Sequence, residues 1–238
     1  MDKSNLEIVV AKYHEDLTWA EKYKKFLTVY NKGPDLVNIG EVVSLKNIGR
    51  EAHTYLYHIV YNYYSLSDYT CFLQGNPIPH MPYTNSIEIL DKIIQTIDNV
   101  ADFYWISEWM FECYFDCEKD QHYNELVRSG KKVSIQNSCV HPTIPLAFEK
   151  LFGKKPTTDK ITFGQGAQFL ASRKLIHQKP CKFYKDILDI FEYVPKETIS
   201  KEMSLLMGNI ELGEEFLPSN PNLSYYMERF WGVIFNEL

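Results

Sequence analysis

Leu6-Glu-Ile-Val-Val-Ala-Lys-Tyr13 is a short apolar run bounded by polar residues, the pattern of a strand buried in the middle of a sheet. Its end delivers His14, Glu15 and Asp16 to the C-terminal edge of that sheet. Thr18 to Tyr23 reads as a helix and Lys25-Phe-Leu-Thr-Val-Tyr30 as a second strand, closed by the turn residues Asn31-Lys-Gly-Pro34. An opening of this β-α-β kind predicts a largely parallel sheet covered by helices.

The alternation continues outward from this stretch. From Glu51, the apolar positions Ala52, Tyr55, Leu56, Ile59, Val60 and Tyr63 recur at helical spacing, with Asn47 as the expected cap and Gly49 easing the turn before it. Asp68 to Leu73 reads as a strand ending at Gln74-Gly-Asn-Pro77, and Ile87 to Ile97 repeats the helical stripe. Residues 101–140 break the pattern: they are aromatic, cysteine-bearing and acidic, and read as a variable insertion or lid within a single domain spanning 1–238. Beyond them, Pro145 to Phe152, Phe183 to Phe191 and Ser224 to Asn236 read as helices, and Phe169-Leu-Ala-Ser172 as a short strand.

Composition excludes some classes of function. A length of 238 residues with 45% apolar content suits one large α/β domain. The net charge of −6 and pI near 5.7 leave no basic surplus to track phosphates, which argues against nucleic acid as a partner. No run of about 18 apolar residues exists to cross a bilayer. The start Met1-Asp-Lys-Ser-Asn5 lacks the layout of a secretory signal, so the expectation is a soluble, cytoplasmic protein without an integral membrane segment. Five irregularly spaced cysteines give no disulfide framework. Cys113, Cys117, His122, Cys139 and His141 contain one well-spaced pair but no second pair to complete a zinc set, so no metal is assigned.

Four segments put polar groups where strands end or helices begin, which is where open α/β folds bind ligands. Arg50 and Glu51 open a helix, where free N–H groups and the dipole favour an anion; alternatively, Glu51 only complements the dipole and Arg50 is solvated. Gln74, Gly75, Asn76 and His80 follow a strand in a loop stiffened by two prolines, and their amide and imidazole groups suit a ribose or sugar. No Asp-x-Asp motif accompanies them, which favours a metal-independent site or one with His80 as its sole metal ligand. Gln165 and Gln168 sit among the glycines of Phe163-Gly-Gln-Gly-Ala-Gln-Phe169, which either admit a ligand close to the backbone or make a tight turn into an edge strand. Glu228 lies on a helix with Met227, Phe230, Trp231, Ile234 and Phe235. Desolvation there suits a general base, and an ion pair with Arg229 or Arg173 is the structural alternative.

These segments resemble an uncharacterised family usually described as glycosyltransferase-like. The resemblance runs through Asn47-Ile-Gly-Arg-Glu-Ala52, Tyr55 to Ile59, Phe72-Leu-Gln-Gly-Asn-Pro-Ile-Pro-His80, Gly166-Ala-Gln-Phe with Ser172-Arg173, and Glu228-Arg-Phe-Trp231 with Ile234-Phe235. It covers most of the chain apart from about residues 100–140. The second half is also similar to the core-2 branching N-acetylglucosaminyltransferases, inverting GT-A enzymes that need no metal and carry an Asp-Glu-x-x-Trp motif whose Glu is the base. That similarity implies Glu228 as base and Trp231 as the motif tryptophan, while Met227 stands where that family has Asp.

Together these imply a GT-A-like, Rossmann-type α/β fold with a mostly parallel sheet flanked by helices. The implied activity is inverting transfer of a hexose or N-acetylhexosamine from a nucleotide-sugar co-substrate, a UDP-sugar foremost, to a glycan or other hydroxyl acceptor. Glu228, Arg50 and Arg173 are the expected catalytic residues. His14, Asp16, Asn47, Glu51, Gln74, His80, Gln165, Gln168 and Trp231 are the expected substrate-binding residues, with residues 101–140 as the acceptor platform. Two other readings stay open: a non-catalytic glycan- or nucleotide-binding module, and a metal hydrolase built on His14, Asp16 and His80.

Overall fold

A computed structural model of the chain describes residues 5–81, 87–96, 101–131, 133, 135, 138–192, 206, 219 and 221–236. The opening strand is β1 (Leu6–Lys12), followed by a 3-10 turn at Thr18–Tyr23 and β2 (Leu27–Asn31). Next come β3 (Glu41–Ser44), α1 (Arg50–Tyr61) and β4 (Tyr69–Gln74). After a 3-10 turn at Ile78–His80, α2 covers Ile87–Thr96; Ile97, expected to end that helix, lies outside the described residues. β5 (Phe103–Trp105), β6 (Met110–Tyr114) and α3 (Gln121–Arg128) follow, then α4 (Ile144–Phe152). The chain closes through β7 (Lys160–Gly164), β8 (Phe169–Ser172), α5 (Arg173–Ile176), α6 (Cys181–Glu192) and α7 (Asn222–Asn236).

The main sheet has six strands in the order β3-β2-β1-β4-β8-β5, with β6 and β7 forming a separate antiparallel ribbon. The pairings among β3, β2, β1 and β4 are parallel, while β8 runs antiparallel to both β4 and β5, so the sheet is mixed. Successive side chains alternate between its faces. Leu6, Ile8 and Val10 of β1, with Cys71 and Leu73 of β4, pack against Leu17, Ala20 and Tyr23 and against Leu90 and Ile93 of α2. Val9 and Phe72 face the other way, into a larger core built from α1, α6 and α7.

Three differences from the sequence reading have local causes. Helix α1 starts after Gly49, whose left-handed backbone (φ 61°) makes it the cap in place of Asn47. β3 has no counterpart in the sequence reading: three of its four residues are exposed, and only Val43 is half-buried against the core, so pairing to β2 is its main support. The segment 101–140, read as an insertion, contributes β5 to the main sheet and β6 to the ribbon. Among the described residues no helix is long and apolar enough to cross a membrane.

Candidate functional site

β1 pairs with β2 on one side and β4 on the other, so the strand order reverses at β1, and a crevice opens beyond the carboxyl ends of these strands. A cleft of about 490 Å³ occupies that position. Lys12, Tyr13 and Glu15 line it from the end of β1, and Lys32 from the end of β2. Gln74, Gly75 and Asn76 contribute from the end of β4, and Asn47, Arg50 and Glu51 from the start of α1. The indole Nε1–H of Trp19 donates to the Gly75 carbonyl at 2.9 Å and fixes the β4 end. Lys12 is almost buried and pairs with Asp35 (3.4 Å), while Lys32 donates to the carbonyls of Ile48 (2.7 Å) and Arg50.

Arg50 joins this cleft to α7. Its guanidinium donates to the Tyr225 hydroxyl at 2.9 Å, lies 5.1 Å from that ring's centroid and reaches Glu51 at 3.5 Å. Glu228 is three residues beyond Tyr225 and therefore shares its helix face. The Glu228 Oε1 accepts the Gly166 N–H at 2.8 Å. Gly166 has φ 83°, and a Cβ there would meet the His80 ring at 2.8 Å, so the imidazole packs directly on this turn. His80 Nδ1 is buried without a hydrogen-bond partner. Arg50, Glu51, His80, Gly166 and Glu228 thus form one wall assembled from both ends of the chain.

The charges on this wall act on one another. Burial pushes the Glu51 carboxyl above its ordinary range, Arg50 opposes that shift and Glu228 adds to it. Burial holds the His80 imidazole below its usual value; Glu51 opposes this and Arg50 reinforces it. Arg50 is pushed up, chiefly by Glu51. Among the described residues, the only non-glycine positions with positive φ are Arg50 (48°) and Ala167 (51°), one on each side of this wall. Such conformations cost about 1–3 kcal/mol and gather at functional sites.

A family described as Protein of unknown function (DUF3431) matches residues 8–237. The chain belongs to this family. The DUF3431 match spans β1 through α7, and so takes in both halves of the site. Comparison with curated proteins and with solved structures gives no match.

In this DUF3431 chain, Asn47, Arg50, Glu51 and Gln74 line the cleft, and His80, Gln165 and Glu228 meet at the Gly166 turn, where Gln165 is half-buried. The remaining predicted residues lie elsewhere. His14 is exposed and paired with Asp35 at 3.1 Å; Asp16 caps the following turn through the Thr18 N–H and hydroxyl. Gln168 is fully buried and serves as a clamp, accepting from Gln74 N–H (3.4 Å) and donating to the Pro77 carbonyl (3.1 Å). Trp231 is fully buried against Tyr55, Phe169 and Phe235.

Arg173 is removed from the cleft by topology. Because β8 is antiparallel, Ser172 pairs with Tyr69 at the start of β4, so Arg173 lies roughly 16 Å along the sheet from the Gln74 end. There it bonds Asp68 and the Leu66 carbonyl. Arg229 is not the partner of Glu228 either: it is buried and donates to the carbonyls of Ile135, Ser138, Cys139 and Tyr225. The sequence reading placed Glu15 at this edge without giving it a role, and it missed Lys12 and Lys32 as site residues. Their signal was position alone, immediately at or beyond the ends of β1 and β2. Among the described residues no group of three or more His, Cys, Asp or Glu side chains gathers to hold a metal.

Proposed function

We propose that this chain is a GT-A-like glycosyltransferase that moves a sugar from a nucleotide-sugar donor, a UDP-sugar foremost, to a hydroxyl acceptor with inversion. The observation that carries this reading is the continuity between a cleft at the strand-order reversal and a carboxylate: Arg50 lines the cleft and bonds Tyr225, on the helix face that also bears Glu228. The nucleotide lies across the ends of β1 and β4, and Gln74 and His80 face the ribose or sugar. Glu228 takes the proton of the acceptor hydroxyl, whose oxygen bonds to the anomeric carbon as the bond from that carbon to the diphosphate breaks. Arg50 stabilises the negative charge that develops on the departing diphosphate.

The hydrogen bond from Gly166 to Glu228 favours a second reading, in which Glu228 only braces the turn and the chain is a non-catalytic glycan- or nucleotide-binding module. Glu228→Gln separates the two. The glutamine carbonyl still accepts the Gly166 N–H, so the turn keeps its brace while the base is lost. Transfer is expected to fall by about 10²–10⁴-fold with donor affinity retained. Equal loss of transfer and donor binding would count against a base, as would transfer that survives intact. The donor is first found by thermal shift against nucleotide sugars and free nucleoside diphosphates with and without manganese; a ligand at 100 times its Kd adds about 2.7 kcal/mol of stability.

A further inference from the structure

The cleft holds three cations, and two have carboxylate partners: Lys12 with Asp35, and Arg50 with Glu51. Lys32 differs. It is 9% exposed and lines the cleft, and among the described residues no carboxylate lies within 4.0 Å of its ammonium. Its hydrogen bonds go to two backbone carbonyls, those of Ile48 and Arg50, which hold the loop leading into α1. An ammonium has three donors, and this arrangement leaves one for the cleft. Burying a cation without a counter-ion is costly, so the site is built for an anion that arrives with the ligand.

We propose that Lys32 holds the anionic group of the ligand, the diphosphate of a nucleotide docking on its ammonium, and that binding draws a proton onto this side chain. The inference rests on the nucleotide reading above and names the residue that reads the ligand's charge. Burial brings Lys32 down to about 7, with Glu51 opposing that shift. The other titratable groups lining the cleft are Lys12, Tyr13 and Glu15 at the end of β1, and Arg50 and Glu51 from α1; the end of β4 offers only Gln74, Gly75 and Asn76. His53 on α1 is held neutral, at about 3, by burial and by Lys32.

The sign follows from linkage. An anion binds the protonated amine, so affinity is highest below the free value and declines as pH rises through 7 toward the bound value. By reciprocity the anion raises the bound value, so at pH 8 the complex takes up most of one proton that the free protein lacks. For uridine diphosphate the terminal phosphate ionisation near pH 6 is complete by then, and the decline above it belongs to the protein.

Isothermal titration calorimetry with uridine diphosphate, inorganic pyrophosphate and uridine, at pH 8 in buffers of differing ionisation heat, tests this. Wild-type protein is expected to bind both phosphate ligands, to take up a proton with uridine diphosphate, whose phosphates are fully ionised at this pH, and to take up none with uridine. Lys32→Met should weaken uridine diphosphate by about tenfold or more at pH 7 and abolish the buffer dependence. Lys32→Arg, always charged, should keep affinity without proton uptake. Binding by wild type with no buffer dependence, or unchanged affinity in a folded Lys32→Met, overturns the role of Lys32 and leaves the nucleotide reading intact. Wild type that binds neither phosphate ligand overturns both. The wild-type buffer comparison needs no variant, so a Lys32→Met protein that fails to fold does not remove the test.

Discussion

A few atoms at Gly166 hold the candidate site together. Its amide donates to Glu228, its left-handed backbone turns the chain from β7 into β8, and its bare α-carbon seats the His80 ring. Gly166→Ala strains the backbone by about 1–2 kcal/mol. It also drives a methyl group into Cβ, Cγ and Cδ2 of His80, which are not the free end of a flexible side chain. The urea midpoint should fall by an amount exceeding the backbone cost alone, and the His80 ring resonances should move. An unchanged midpoint would show that the turn does not depend on this geometry. The sequence displayed the glycine and the histidine but not their contact, because 86 positions separate them in the chain and the fold closes that gap.

Among the elements, β8 is the decisive one. Its four residues are all buried, and a short apolar run carries no information about its direction. Run parallel, it would have brought Arg173 toward the cleft; antiparallel, it sends Arg173 to the opposite edge and leaves Gln168 beside Gln74. Arg173→Ala should therefore leave nucleotide affinity unchanged. Its pair with Asp68 is about half exposed on both sides, so stability should change by no more than about 1 kcal/mol. Thermal shift with and without nucleotide measures both, and loss of the nucleotide-dependent shift would contradict the placement. Helix α1, by contrast, was legible: Ala52, Tyr55, Leu56 and Ile59 are all fully buried, as their spacing required.

For the molecule as a whole, the site depends on how α7 is seated. That helix supplies Tyr225 to Arg50 and Glu228 to Gly166, and Trp231 anchors it among Tyr55, Phe169 and Phe235. Trp231→Ala removes a fully buried indole and should cost about 3–5 kcal/mol. Ligand binding should fall with it even though Trp231 does not line the cleft, because the wall bearing Arg50 and Glu228 loses its support. Chemical denaturation and nucleotide titration of the same sample check this; an intact nucleotide affinity in a destabilised variant would separate the cleft from α7.

The sequence by itself determined the two opening strands, the amphipathic helices, the strand ending at Gln74 and the polar residues at the start of α1, whereas the helix expected between those strands is a single 3-10 turn. These follow from periodicity and turn chemistry, which act over a few neighbouring residues. Only the tertiary structure decided that β8 is reversed, that Gln168 and Trp231 are interior, and that Lys32 and Glu51 are buried at the floor of a cleft while Arg173 is not near it. Burial and strand direction depend on which distant segments pack together, and no local pattern around those residues encodes their partners.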